Sequence, residues 1–269
     1  MNSISDQASD AGDSAKAAAA KAGDHPVVEW GARLGYGANG VLHVLLAFLT
    51  AQVALGGGGK QASQSGALAT LAEEPLGQVL LWVLAVGFVL LALWQLTELV
   101  TQEEVFDKAK AGGKLVLYAA LAWTSFTFAS GGRSSSNDQT KDFTATLMDA
   151  PAGQLLVGLL GVGVLGIAGY HVYKGWKKKF LEDLQEHPGQ WAVVAGQIGY
   201  IAKGIALVAV GILFLTAAIQ HRAGKATGLD GALRSMLDLP FGPVILIGIA
   251  VGLVAYAVYS FARARYARV

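Results

Sequence analysis

The chain has 269 residues, of which 54% are hydrophobic and 14% charged, with a net charge of +1 and a mean hydropathy of +0.47. Soluble domains carry about 25% charged residues, so these values disfavour a soluble enzyme, and the near-zero charge argues against a nucleic-acid binder. No cysteine is present, which excludes disulfides, zinc–thiolate centres and iron–sulfur clusters.

In chain order, residues 1–30 hold Asp6, Asp10, Asp13 and Asp24 around the alanine run Ala17–Ala20. They lack the basic start and apolar stretch of a signal peptide and read as a mobile cytoplasmic tail. Ser14–Ala22 is expected to form a transient helix, and Val27, Val28 and Trp30 to lie at an interface before the first span. Six apolar runs follow, at Leu34–Leu55, Gly77–Val100, Gly113–Ala129, Gly153–Tyr173, Gly196–Ile219 and Phe241–Phe261. About 20 apolar residues cross the hydrocarbon as a helix, and a backbone in lipid must bond to itself. The sequence therefore predicts an all-α integral membrane protein with six transmembrane helices. Basic residues mark the cytoplasmic side. They gather at Lys174, Lys177, Lys178, Lys179, Arg263, Arg265 and Arg268, which places both termini inside the cell and the protein in the inner (plasma) membrane.

The spans repeat in pairs. Pro75-Leu76-Gly77, Pro151-Ala152-Gly153 and Pro240-Phe241-Gly242 each open an even-numbered span, where proline suits the first helical turn. A short outer helix or turn is expected before each, over 66–71, 143–147 and 231–236. Beyond the prolines the register holds: Gly87, Gly163 and Gly252, then Trp94, Tyr170 and Tyr259, then Glu98, Lys174 and Arg263. These offsets return to one helix face. Among the odd spans, Gly35-Tyr36 and Asn39-Gly40 match Gly199-Tyr200 and Lys203-Gly204, while the middle copy keeps only Gly112. The division is 31–104, 105–180 and 190–269: three parallel two-helix repeats, with a pseudo-threefold axis along the membrane normal as the natural arrangement.

The segment Ala32–His43, the Pro-x-Gly units and Leu93-Trp94-Gln95 resemble a bacterial membrane family catalogued as domain of unknown function 1206, frequent in actinobacteria. The resemblance covers about residues 30–266 and implies three tandem two-helix copies. It supplies no catalytic residues.

Polar groups inside spans are functional candidates. Tyr36, Asn39, His43 and Thr50 share one face of the first span, with His43 near mid-membrane. Polar residues commonly bind spans together, so His43 reads first as a packing histidine bonded to a neighbouring helix. A proton relay or haem ligand is the alternative. His171 is the other intramembrane histidine, at a depth unsuited to sharing one haem with His43. Lys203 is the most costly residue, and two readings are open: an ion pair with Glu98, supported by Gln95 and Asn39, or a side chain that snorkels to the interface. The candidate intramembrane site is thus Asn39, His43, Gln95, Glu98 and Lys203. Gly158, Gly161, Gly163, Gly166 and Gly169 predict close packing of the fourth span, within the monomer or between copies. Gly56–Gly59 reads as a loop. No metal site, cofactor or catalytic motif is expected.

The leading functional expectation is a non-catalytic structural or accessory membrane component, with a homo-oligomer or membrane complex as its setting. A small-solute transporter or channel with a site at the repeat junction is the second, and a haem or quinone redox protein the third.

Overall fold

The computed structural model describes residues 26–57, 59–102 and 104–267. The expected tail and its transient helix fall outside these residues. Among the described residues there are six long helices and three short ones, one short helix between the two long helices of each copy. They are α1 (Pro26–Ala54), α2 (Gln64–Ala72), α3 (Gly77–Thr101), α4 (Val105–Ala129), α5 (Ser136–Met148), α6 (Gly153–Trp176), α7 (Gln190–Gln220), α8 (Gly228–Ser235) and α9 (Gly242–Tyr266). Three 3-10 turns occur, of which Lys179–Asp183 bears on function. Apart from one isolated bridge between Leu184 and Ala267, the described residues contain no β structure.

Five long helices, α1, α3, α6, α7 and α9, are long and apolar enough to cross a membrane. The expected third span, Gly113–Ala129, is the apolar part of α4. This helix matches α3 in length at 25 residues, but Asp107, Lys108, Lys110 and Lys114 occupy its first two and a half turns and keep it below that standard. Helix α1 starts at Pro26, so the helix begins before the first apolar run and includes Val27, Val28 and Trp30. Helix α7 likewise starts six residues before the apolar run, because Ala192 and Val193 are buried against the bundle.

The short helices lie at the expected positions in the chain. Ser63 and Ser135 cap α2 and α5 by accepting from the amides of Gly66 and Asp138. The prolines, however, stand before the even helices and not in their first turn. In each copy the glycine of Pro-x-Gly donates to the carbonyl of the residue preceding proline (Glu74, Ala150 and Leu239, 2.8–2.9 Å). Proline therefore occupies the second position of a tight turn, for which its fixed φ is suited. Ala152 and Phe241 follow at φ 59° and 62°. The glycine is needed for close approach. A Cβ on Gly77, Gly153 or Gly242 would lie 1.5, 2.2 or 2.3 Å from the carbonyl oxygen of Leu71, Leu147 or Met236.

The long helices pack side by side in the order α4, α3, α1, α9, α7, α6. Each even helix packs most extensively on the odd helix of the next copy: α3 on α4, α6 on α7, and α9 back on α1. Within copies, α1 packs on α3 and α7 on α9, whereas α4 and α6 share almost no packing. The contacts recur in register. A Cβ on Gly35 would strike Leu91, and one on Gly199 would strike Tyr256, each sixteen residues past its proline. A Cβ on Gly40 would strike Phe261, and one on Gly204 would strike Val172, each twenty-one residues past. The middle copy breaks the pattern. Gly87 lies against Gly35 and Gly252 against Ala202, but Gly163 meets nothing.

The dense packing expected of α6 is accordingly half observed. Gly161 seats Leu215, whereas Gly163, Gly166 and Gly169 face open space, and α6 is the least covered of the five apolar helices. Gly242→Ala should destabilise the protein by about 2 kcal/mol, since backbone oxygens cannot yield. Gly163→Ala should be neutral or stabilising by up to about 1 kcal/mol through helix propensity. Thermal unfolding of the two variants in detergent compares them; equal melting temperatures would refute the assigned contacts.

Candidate functional site

The candidate residues lie on the inward faces of α1, α3, α7 and α9. Tyr36, His43 and Thr50 are buried on α1, as the shared face predicts. His43 is held by its own helix and not by a neighbour. Its Nδ1 lies 2.7 Å from the Asn39 carbonyl, which can only accept, so Nδ1 carries the proton and Nε2 is left as an acceptor. The imidazole sits 4.5 Å from the Tyr256 ring. Asn39 donates from Nδ2 to Ser260 Oγ at 3.3 Å, joining α1 to α9. His171 bonds back to the Ile167 carbonyl in the same manner and lies beside Tyr200.

The expected Glu98–Lys203 pair is not formed. Glu98 accepts from Gln102 Nε2 at 2.7 Å, one turn along its own helix. The Lys203 ammonium lies 4.4 Å from the centroid of the Tyr256 ring, facing α9. Among the described residues no acidic side chain is within ion-pair distance of it. A cation over a desolvated ring gains up to about 2 kcal/mol, less than a carboxylate partner would supply. Lys203 lies thirteen residues into α7, roughly 20 Å along its axis, and its charge acts on both His43 and His171. Gln95 is 3% exposed, and its Oε1 has no hydrogen-bond partner.

Toward the end bearing the chain termini, the repeat-related stripe forms a second polar layer. The Arg263 guanidinium lies 4.3 Å from the Tyr36 ring and the Lys174 ammonium 5.4 Å from the Tyr200 ring. These are equivalent pairs, each joining an even helix to the next copy's odd helix. At the third junction both partners differ: Glu98 replaces the cation, and Gly112-Gly113 replaces Gly-Tyr. An anion over an aromatic face would be repelled by the ring quadrupole, so the paired change is self-consistent. Of the remaining stripe residues, Tyr259 is fully buried, Trp94 packs at the edge of the core, and Tyr170 is exposed with Lys110 6.0 Å from its ring.

Asp183 was not evident in the sequence, and it closes this layer. Its carboxylate lies 2.6 Å from Lys174 Nζ and 3.7 Å from Arg263 Nη1. Lys114 lies in the combined field of Arg263, Asp183, Lys174 and Glu98. The segment carrying Asp183 folds under the bundle. Phe180 is wholly buried, stacks on Tyr200, and meets Tyr259 edge-on at 5.0 Å. Tyr259 Oη donates to the Phe180 carbonyl at 3.0 Å, and Gln185 N donates to Tyr266 O at 2.8 Å. At the opposite end Asp230, 3% exposed, accepts from Ala62 N, Asn137 Nδ2 and Arg234 Nε, and so ties one segment from each copy. Each acid is a short polar break in a loop or small helix, with no motif around it to mark its role.

An all-helical, multi-pass membrane protein built from internal repeats is thus defined. Its sequence matches the family described as Domain of Unknown Function (DUF1206) three times, over residues 34–101, 109–178 and 198–267. The chain belongs to that family. It is 28% identical over 248 residues to "Uncharacterized protein YxxB" of Bacillus subtilis (strain 168), covering 87% of this chain and 89% of the relative. No solved structure matches it.

Burial alone would raise the Asp183 carboxyl, but Arg263 and Lys174 outweigh it and hold the group below its ordinary value of 3.8. A depressed folded pKa stabilises the fold above the unfolded value, and that contribution vanishes as pH falls through the folded one. The amides of residues 180–185 should therefore stay protected from neutral pH down to about pH 4 and lose protection only below 3.8. In Asp183→Asn they should already exchange faster at neutral pH. Hydrogen exchange with mass spectrometry reads this out; unchanged protection in the variant would contradict the latch.

Proposed function

We propose that this protein is a non-catalytic carrier or channel of the bacterial inner membrane that binds a small anionic solute at the junction of its three repeats. The carrying observation is Lys203: an intramembrane ammonium that faces the Tyr256 ring and has no acidic side chain within ion-pair distance among the described residues. An unpaired charge in a low-dielectric setting is costly by several kcal/mol, and intramembrane ionisable groups are commonly placed for a substrate. Lys114, Lys174 and Arg263 lie on the termini side of this centre, and Asp183 there is the kind of carboxylate that such a cationic layer accepts.

In this reading α4 crosses the membrane as the sixth span. The even-to-odd packing gives a pseudo-threefold ring with an open seam between α4 and α6. Both termini face the cytoplasm, following the basic residues at the ends of α6 and α9. Transport folds are often built from repeats with the site at their interface, and that analogy supports the reading without carrying it. One observation favours the structural alternative: the open Gly163, Gly166 and Gly169 face of α6 suits a partner helix in a homo-oligomer or membrane complex. The redox alternative gains nothing from the histidines, since His43 sits against Tyr256 and His171 against Tyr200.

The test is electrophysiology of proteoliposomes on a solid support, with chloride, phosphate, acetate and succinate as probes. At least one anion should give a current, and Lys203→Met, eluting as the native protein does, should abolish it. Silence toward all four, or equal currents from the variant, would overturn the proposal.

A further inference from the structure

A groove of about 670 Å³ runs along the outer surface where α1, α3 and α9 meet, away from the polar centre. Its walls are apolar: Leu34 and Val41 from α1, Leu80 and Val83 from α3, and Phe261 from α9. Its floor includes Gly37, where an added Cβ would meet no atom within 4 Å. From Trp30 to Val41 the groove follows eleven residues of α1, about 16 Å of helix rise. That is half of a hydrocarbon core roughly 30 Å thick, so the groove is one leaflet deep. Its volume falls within the range of sites that enclose a small ligand, about 300–1,000 Å³.

One end alone is charged. Arg33 and Arg265 stand there beside Trp30, at the end carrying the chain termini. Arg33 Nη1 donates to the Arg265 backbone carbonyl, which fixes both arginines on the same rim. Arg265 lies 5.6 Å from the Tyr266 ring and is exposed. An apolar trough one leaflet deep, with paired guanidiniums at headgroup height, matches an amphiphile whose head is an anion. Guanidinium binds phosphate oxygens through parallel N–H donors, and an interfacial tryptophan suits the same depth.

We infer that this groove is a specific site for an anionic phospholipid of the bilayer: an acyl chain lies against Leu34, Leu80 and Phe261, and the phosphate is held by Arg33 and Arg265. The site is independent of the central anion site, because none of its residues contributes to that site. It would brace α1, α3 and α9, which include the first and last long helices of the ring.

The full chain is placed in nanodiscs of equal parts phosphatidylglycerol and phosphatidylcholine, and native mass spectrometry counts the lipid that stays bound on release. The native protein should retain phosphatidylglycerol in preference. Each of Arg33→Gln and Arg265→Gln should lower that preference about fivefold, from roughly 1 kcal/mol per basic residue at the surface. Gly37→Leu keeps both arginines and fills the groove, so it should reduce retention of either lipid while leaving elution and melting unchanged. Equal retention of the two lipids by the native protein would overturn the inference. So would undiminished retention in Gly37→Leu, or a dimer peak that disappears in that variant and shows a second copy in the groove.

Discussion

Close approach of helices at glycine, repeated in register, is the constraint on which the architecture rests. Lipid tails offer no hydrophobic incentive for apolar helices to associate, so contact depends on shape and on polar links. Gly35 and Gly199 admit Leu91 and Tyr256 within a hairpin, and Gly40 and Gly204 admit Phe261 and Val172 between hairpins. The same spacing from proline in separate copies sets both contacts, and together they join the hairpins into one continuous series of packed helices. Where the glycine register fails, at the start of the middle copy, the hairpin opens and α6 loses its inner neighbour.

Polar links finish what packing begins. Asp230 binds segments of all three copies at one end, and Asp183 joins Lys174 to Arg263 at the other. Carboxylates paired at low exposure, like these two, do little for net stability when compared with well-packed apolar substitutes. Their value is positional: each accepts from several donors that the fold would otherwise leave unmatched. Between these two layers the centre contains a lysine, two histidines and several tyrosines. That imbalance of charge gives the functional reading its direction, and it survives the loss of the Glu98–Lys203 pair, which would have neutralised it.

The sequence made the repeats legible because proline and glycine act locally. Pro-x-Gly demands a turn and a small Cα whatever surrounds it, so the three junctions and their short outer helices appear in the chain as written. Helix α4 was harder, since its apolar stretch is shorter than its helix and the charged first turns are helical all the same. Side-chain partners were not legible. Glu98 and Lys203 approach the same end in sequence, yet Glu98 is satisfied by Gln102 one turn away, a local bond that outcompetes a distant ion pair. Asp183 and Tyr256 were missed because their roles exist only once the 3-10 turn folds beneath the bundle and α9 closes on α7. The glycines of α6 divide for a related reason: glycine permits approach on any side, but within one chain Gly161 has a close neighbour, Leu215, to use it, whereas Gly163, Gly166 and Gly169 have none.

Packing of α9 against α1 joins the last repeat to the first, and the cysteine-free chain offers a clean background for testing it. Asn39 and Ser260 are bonded across that junction. With both replaced by cysteine in the full chain, a short bis-maleimide should link them within one molecule in native membranes, and protease cleavage of an intervening loop should leave the two halves joined on a denaturing gel. Separation of the halves after cleavage, or a link found only between molecules, would contradict the α9–α1 junction.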